Sequence, residues 1–364
     1  MPDFDYGNAR LWAMKSRLLS RRTLESLAEA GSVQELIAAL SNTAYREAVE
    51  VALARSTAEP AGMDCLTEAL RSDLAATVGH ARRFFSGAAA ELAVLALRRY
   101  DVHNTKTVLR GLARLVAASE ILNGTLPVGE LRAADLAQLA QSADVRVAID
   151  LLATWRIPLA RPLLALRGRG REGALEVPAM ELALDRWHLS TALQAARDAG
   201  EAGRPLLAML ATEADEANIL TALRLVGASN VTRTLREYFG VDELALLFVG
   251  PGHVQLALLT EAAHKTSVPE ALKVLAGTPY HAVLAGAMEA YAASGRLSVF
   301  ERALSQRALQ RAAGLLMHDP LGIGVLLGYV ALKTNEIANL RVVAQGLAIG
   351  DKPEHIRAEL RVVD

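Results

Sequence analysis

Cysteine is almost absent from this chain of 364 residues: Cys65 stands alone. No disulfide can form within the chain, and a reducing compartment is expected. Aromatic residues make up only 4%, and of 39 basic side chains six are lysine. The bias toward arginine reads as that of a GC-rich genome. Charge of one sign is lacking too, with a net of −1. No global field draws such a chain onto nucleic acid or an anionic bilayer. Long apolar runs are missing. Residues 244–259 are interrupted by Gly250-Pro251-Gly252-His253, and residues 321–332 carry glycine and tyrosine within a stretch of 12. A spanning helix needs about 20 apolar residues. The first residues, Met-Pro-Asp-Phe-Asp-Tyr, are acidic with no apolar stretch behind them. That is the reverse of a signal peptide. A soluble chain is expected, which still permits docking onto a membrane complex.

The familiar chemical motifs are missing as well. No Gly-Lys dipeptide occurs, so a phosphate-binding P-loop is excluded. Gly322-Ile323-Gly324-Val325-Leu326-Leu327-Gly328 misses dinucleotide-binding spacing by one residue and has no strand before it. Its small residues read instead as a place where two helices approach closely. Eight histidines are scattered without a His-Glu-x-x-His, and none has a cysteine partner for zinc. No Gly-x-Ser-x-Gly elbow is present. No catalytic residue, cofactor, metal or bound nucleotide is expected.

What the chain does have is leucine and alanine, in a composition that is 52% hydrophobic. These favour helix over strand, and no strand-like alternation stands out. The expected fold class is all-α. It also has a repeat. Asp101-x-x-Asn104, Asp215-x-x-Asn218 and Glu336-x-x-Asn339 recur with 114 and 121 residues between the asparagines. Leu or Ala follows each Asn at five, then Arg110, Arg224 and Gln345 at six. A second landmark keeps step: Thr43, Thr154 and Thr278 precede the acids by 58, 61 and 58 residues. Length agrees, because a single core stops growing at roughly 250–300 residues.

Local physics supports the register. Ser32-Val33-Gln34-Glu35 and Ser267-Val268-Pro269-Glu270 both read as capping boxes, each 11 residues before its threonine. Tyr45 and Tyr280 follow two places after Thr43 and Thr278. The middle copy diverges: Asp144 or Ser142 caps, and Trp155 follows Thr154 directly. Breakers at Asn123-Gly124-Thr125-Leu126-Pro127 and at Tyr238-Phe239-Gly240 mark joints. The expected units are 1–123, 124–238 and 239–364. Near the end, Gly350 stops a helix, Asp351 caps the next and Pro353 opens it.

Residues three apart share a helix face. Each Asp/Glu-x-x-Asn is expected to be a buried polar pair bonding a neighbouring helix, at equivalent points in three units. The alternative is three converging sites for a symmetric partner. Arg167-Gly168-Arg169-Gly170-Arg171 reads as a solvated loop, with docking to an acidic protein surface as its sharper reading. Without interleaved aromatics it is not a nucleic-acid binder.

Together these residues resemble a family. Tyr6-Gly7-Asn8-Ala9-Arg10 with Ala13-Met14-Lys15-Ser16-Arg17-Leu18-Leu19 is similar to the start of the C subunit of the archaeal and bacterial V-type (A-type) ATPase, counterpart of the d subunit of the vacuolar enzyme. Tyr100-Asp101-Val102-His103-Asn104 with Leu109-Arg110 resembles its first helical signature. Pro320-Leu321-Gly322-Ile323-Gly324, Tyr329, Lys333 and Asn335 to Arg341 resemble its C-terminal block. Trp12 and the middle unit depart most from the pattern. The resemblance implies three helical units around a pseudo-threefold axis, forming a funnel. It implies a non-catalytic rotor component on the cytoplasmic side, seated on the proteolipid ring and receiving the central shaft. Torque would pass through it between ion translocation and ATP chemistry. A free-standing helical-repeat scaffold is the second reading, distinguished by what co-purifies.

Overall fold

The computed structural model describes residues 2–56, 62–167, 176–228, 233, 235–239, 241 and 243–363. Among the described residues the regular elements are all helical. In chain order, the α-helices of the first half are α1 (Asp5–Lys15), α2 (Arg21–Leu27), α3 (Val33–Leu40), α4 (Arg46–Arg55), α5 (Met63–Arg82), α6 (Gly87–Ala113), α7 (Ala118–Asn123), α8 (Ala133–Ala140), α9 (Val145–Thr154) and α10 (Ala160–Arg167). Then come α11 (Val177–Asp198), α12 (Arg204–Leu225), α13 (Leu256–Ala263), α14 (Val268–Val274), α15 (His281–Gly286), α16 (Met288–Ser294), α17 (Ser298–His318), α18 (Gly324–Ala348) and α19 (Pro353–Glu359).

One short helix shows how sequence becomes structure, three times. In α3, Ser32 is extended and its Oγ accepts the Glu35 N–H at 3.2 Å, while Glu35 reaches back to the Gly31 N–H at 2.8 Å. Val33, Leu36, Ile37 and Leu40 are buried, the spacing of one helical face. In α9, Asp144 caps the Val147 N–H at 2.9 Å, and Val145, Ala148, Ile149 and Leu152 repeat that spacing. In α14, Val268 and Ala271 are buried and Leu275 continues the face, with Leu272 packed beside it. Ser267 makes no side-chain cap there. Glu270 instead accepts from the Thr266 N–H and hydroxyl, and Pro269 leaves one fewer N–H to satisfy. Each fully buried Leu or Ile contributes about 1.5–3 kcal/mol.

The chain divides into two compact units. Unit 1 holds Met1–Tyr100, Leu126–Arg132 and Leu309–Asp364. Its centre is α18, which is contacted by α1, α2, α3, α5 and α19 and is buried over most of its length. The N–H of Gly324 at its start is held by Asp319 Oδ2 at 2.7 Å. A Cβ on Gly328 would lie 2.8 Å from the Ala312 carbonyl and 2.7 Å from Leu316 Cγ, so α17 and α18 approach through this glycine. From α1, Asn8 Nδ2 donates to the Pro320 and Gly322 carbonyls at 3.2 and 3.0 Å. Gly350, at φ +69°, then turns the chain into α19. Arg357 of α19 pairs with Glu29.

Unit 2 holds Asp101–Thr125 and Ala133–Ala308. There α12 lies between α11 and α13, and a core gathers Ile219, Leu223, Phe248, Leu259, Tyr280 and Phe300. Lys106 pairs with Asp185 at 2.7 Å and Arg110 with Glu181 at 2.6 Å, tying this part of α6 to α11. Burial pushes the Asp185 carboxyl up, and Lys106 opposes it.

Candidate functional site

The six repeat-motif residues are all buried, at 0–4% exposure. Buried polar groups need partners, and for the second and third copies these are loop backbone, a tyrosine, and His253 or Lys333.

On α12, Asp215 is completely buried. Its Oδ1 accepts the Val254 N–H at 2.9 Å. Its Oδ2 is approached at 2.9 Å by the His253 N–H, by His253 Nδ1 and by the Tyr280 hydroxyl. One turn on, Asn218 Nδ2 donates to the Val249 carbonyl at 3.0 Å and its Oδ1 accepts the Val249 N–H at 2.7 Å. The loop that interrupts the apolar run at 244–259 is therefore wrapped around these two side chains. Gly252 makes it possible: a Cβ there would stand 1.9 Å from Asp215 Oδ1.

On α18, Glu336 Oε1 accepts the Tyr45 hydroxyl at 2.6 Å and Lys333 Nζ at 3.0 Å, and its Oε2 accepts the Leu19 N–H. Asn339 repeats the double backbone bond of Asn218, donating to the Arg361 carbonyl at 2.7 Å and accepting its N–H at 2.8 Å. Lys333 adds an ion pair to Asp73 at 2.8 Å. On α6, Asp101 and Asn104 are equally buried, while His103 between them faces outward with Nε2 3.0 Å from the Gly124 carbonyl.

The threonine landmark has a structural meaning. Thr43 donates to the Leu40 carbonyl at 2.6 Å and accepts the Tyr45 N–H at 3.2 Å. Thr278 does the same with the Leu275 carbonyl and the Tyr280 N–H, at 2.7 and 3.3 Å. Each turn delivers its tyrosine to an acid. Thr154 differs, donating to the Asp150 carbonyl at 2.8 Å, and the chain then passes through Arg156 at φ +58°.

Electrostatics follow from burial. Burial, then Glu336, pushes the Tyr45 hydroxyl well above its ordinary value. Burial and Asp215 do the same to Tyr280, whose ring also carries the Arg307 guanidinium 4.3 Å from its centre. Both tyrosines stay neutral donors at any ordinary pH. Burial, with Glu336 adding to it, raises Asp73, and Lys333 opposes. These are clamps built of buried hydrogen bonds.

Of the arginine loop, Arg167 is half exposed and pairs with Asp150 at 2.6 Å. Arg169 and Arg171 lie outside the described residues, as does Gly240 at the second joint. Sequence reasoning passed over Tyr45, Tyr280, Lys333, Asp73 and Gly252 as members of the clamps. The Thr-x-Tyr spacing in step with the acids was the available signal.

Comparison with known proteins agrees along the chain. The family described as ATP synthase (C/AC39) subunit matches residues 7–359. The C subunit of the A-type ATP synthase of Methanocaldococcus jannaschii is 25% identical over 98% of this chain and 86% of its own. That of Methanosarcina barkeri is 26% identical over 99% and 93%. The C subunit of the V-type ATP synthase of Deinococcus radiodurans is 27% identical over 99% and 92%.

Proposed function

Because the chain belongs to the ATP synthase (C/AC39) subunit family, we propose that it is a rotor component of a V/A-type rotary ATPase, seated on the proteolipid ring and receiving the central shaft. It is an accessory part of that complex and not the catalytic one. In this reading the repeats 1–123, 124–238 and 239–364 surround a pseudo-threefold axis as a funnel. One face sits on the cytoplasmic loops of the ring, and the wide end takes the shaft.

The observation that carries this reading is the order of the tyrosine–acid bonds. Tyr280 of the third repeat serves Asp215 of the second, and Tyr45 of the first serves Glu336 of the third. Each tyrosine comes from the repeat after the acid, with the first following the third. A cyclic order of this kind favours closure over an open stack. A body that carries torque must also resist deformation. Clamps of buried hydrogen bonds, set among close-packed leucines, supply resistance. No described helix is long and apolar enough to cross a membrane, which suits a peripheral seat.

The test is to tag the chain, retrieve it from its own detergent-solubilised membranes and identify what it retains. Proteolipid and shaft proteins are expected. Recovery of the chain alone, with intact ATPase left in the extract, would replace the rotor reading with that of a free-standing helical scaffold. A threefold adaptor cannot match every loop of a many-membered ring, so the seat is expected to be tolerant and partly electrostatic. Retention on isolated rings should then weaken as salt rises; salt-independent retention would remove the electrostatic part.

A further inference from the structure

Inside unit 1, two carboxylates and a phenol share one ammonium. Lys333 Nζ lies 2.8 Å from Asp73 Oδ2 of α5, 3.0 Å from Glu336 Oε1 and 2.9 Å from the Tyr45 hydroxyl at the start of α4. It also stands 4.1 Å from the centre of the Tyr45 ring. The side chains of Lys333 and Glu336 are 5% exposed and that of Asp73 is 14% exposed. One ammonium therefore faces two carboxylates, and the surplus is a single negative charge held away from water. Such a charge is costly unless compensated.

Tyr329, on α18 itself, is kept neutral by burial, with Arg17 between α1 and α2 acting on it from a distance. The first part of α6 brings an uncharged contact, the Tyr100 hydroxyl on Thr334. On α3, Glu35 is engaged with the Gly31 N–H; α2 and α19 commit Glu29 and Arg357 to each other. From the α1–α2 turn comes the Leu19 N–H, which reaches the second oxygen of Glu336.

We propose that this cluster is a proton-operated latch: uptake of one proton neutralises the surplus carboxylate charge and tightens the seam where α5 and the start of α4 meet α18. Burial already holds the Asp73 carboxyl above the ordinary carboxylate range. A carboxyl raised in the folded state stabilises most below its unfolded value, and the contribution is lost as pH rises through the folded value. The seam is thus tightest at and below the ordinary carboxylate range and loosens as pH rises through the raised Asp73 value. The latch does not depend on what the chain docks onto.

Hydrogen exchange on the full chain, expressed as protection factors, tests it at Leu19 and along α4 and α5. Protection several-fold higher at about pH 4 than at about pH 8 is expected from the linkage. Asp73→Asn removes the surplus charge and should hold protection at one level across that range. Glu336→Gln removes the same charge from the other carboxylate and should do likewise, so one variant suffices if the other fails to fold. Tyr45→Phe should lower protection yet keep its pH dependence. Wild-type protection that ignores pH, or an Asp73→Asn or Glu336→Gln chain that keeps the wild-type dependence, overturns the latch.

Discussion

Tyr45 donates a 2.6 Å hydrogen bond to Glu336, 291 positions further along the chain. Tyr280 makes the same kind of bond to Asp215, 65 positions before it. In both cases a threonine two residues earlier shapes the turn that presents the phenol. The two carboxylates differ in how well the rest of their surroundings satisfy them, and that difference is measurable.

Removing each hydroxyl alone should rank the two clamps. Asp215 keeps three donors without Tyr280, whereas without Tyr45 both Glu336 and Lys333 lose a partner. Tyr45→Phe is expected to destabilise more than Tyr280→Phe, within about 1–3 kcal/mol for each. Denaturant titration gives the order, and the reverse order would contradict the geometry.

Lys333→Met leaves Asp73 and Glu336 buried without their cation. A loss of about 3–5 kcal/mol is expected. Adding Asp73→Asn should recover part of it, because one of the stranded charges is gone. A double variant no more stable than the single one would mean that Asp73 is not a source of the penalty.

Gly252→Ala puts a Cβ 1.9 Å from Asp215 Oδ1 and 2.9 Å from the Ala211 carbonyl. The loop must move and give up the His253 and Val254 N–H bonds. A cost of roughly 3 kcal/mol or more follows from stranding a buried carboxylate. An unchanged melting temperature would show that the loop has room the geometry denies it.

Asn218→Ala orphans both backbone groups of Val249. At about 1–3 kcal/mol for each unsatisfied group, the chain should be destabilised, while assembled complexes containing it stay coupled. Ion pumping per ATP in reconstituted vesicles is the readout. A complex of normal stability that hydrolyses ATP without pumping would assign Asn218 a working role in place of a structural one.

Leu115 ends the α6 segment at φ +55° and is 90% exposed, with the Val116 N–H returning to the Gly111 carbonyl at 3.0 Å. Glycine is at ease in this conformation and leucine is not. Leu115→Gly should raise stability by about 0.5–1 kcal/mol. Thermal unfolding of the variant beside the parent decides it, and a lower midpoint would refute the reading of this turn.

The helices were legible because their signals are local. Ser32 with Val33, Leu36, Ile37 and Leu40 announces a cap and a face within nine residues, and the structure has both. Asp144 caps as its position implied. Ser267 sits in the same pattern but does not cap, although the Glu270 carboxylate still reaches back, to the Thr266 N–H and hydroxyl. The clamps were only half legible. Asp/Glu-x-x-Asn stands out by repetition, but nothing near Glu336 in sequence points to Tyr45, Asp73 or Leu19. Long-range pairing leaves no mark on local periodicity. The Gly250–Gly252 loop reads as a mere interruption until Asp215 is seen lying against it.

Unit 1 joins Met1–Tyr100 to Leu309–Asp364 with the short segment Leu126–Arg132, and unit 2 takes the stretches between. On the ribosome that order becomes a delay. Residues 101–125 and 133–308 can close on themselves before Lys333 is made. Tyr45 and Asp73, made early, wait for Lys333. At roughly 5–20 residues per second the wait lasts on the order of ten seconds to a minute. During it the faces of α2, α3 and α5 that α18 will cover stay open to chaperones and proteases. A nascent chain arrested once residue 308 has cleared the ribosome should therefore resist proteolysis in its later part and yield in its first hundred residues, the opposite of the usual gradient from the N-terminus.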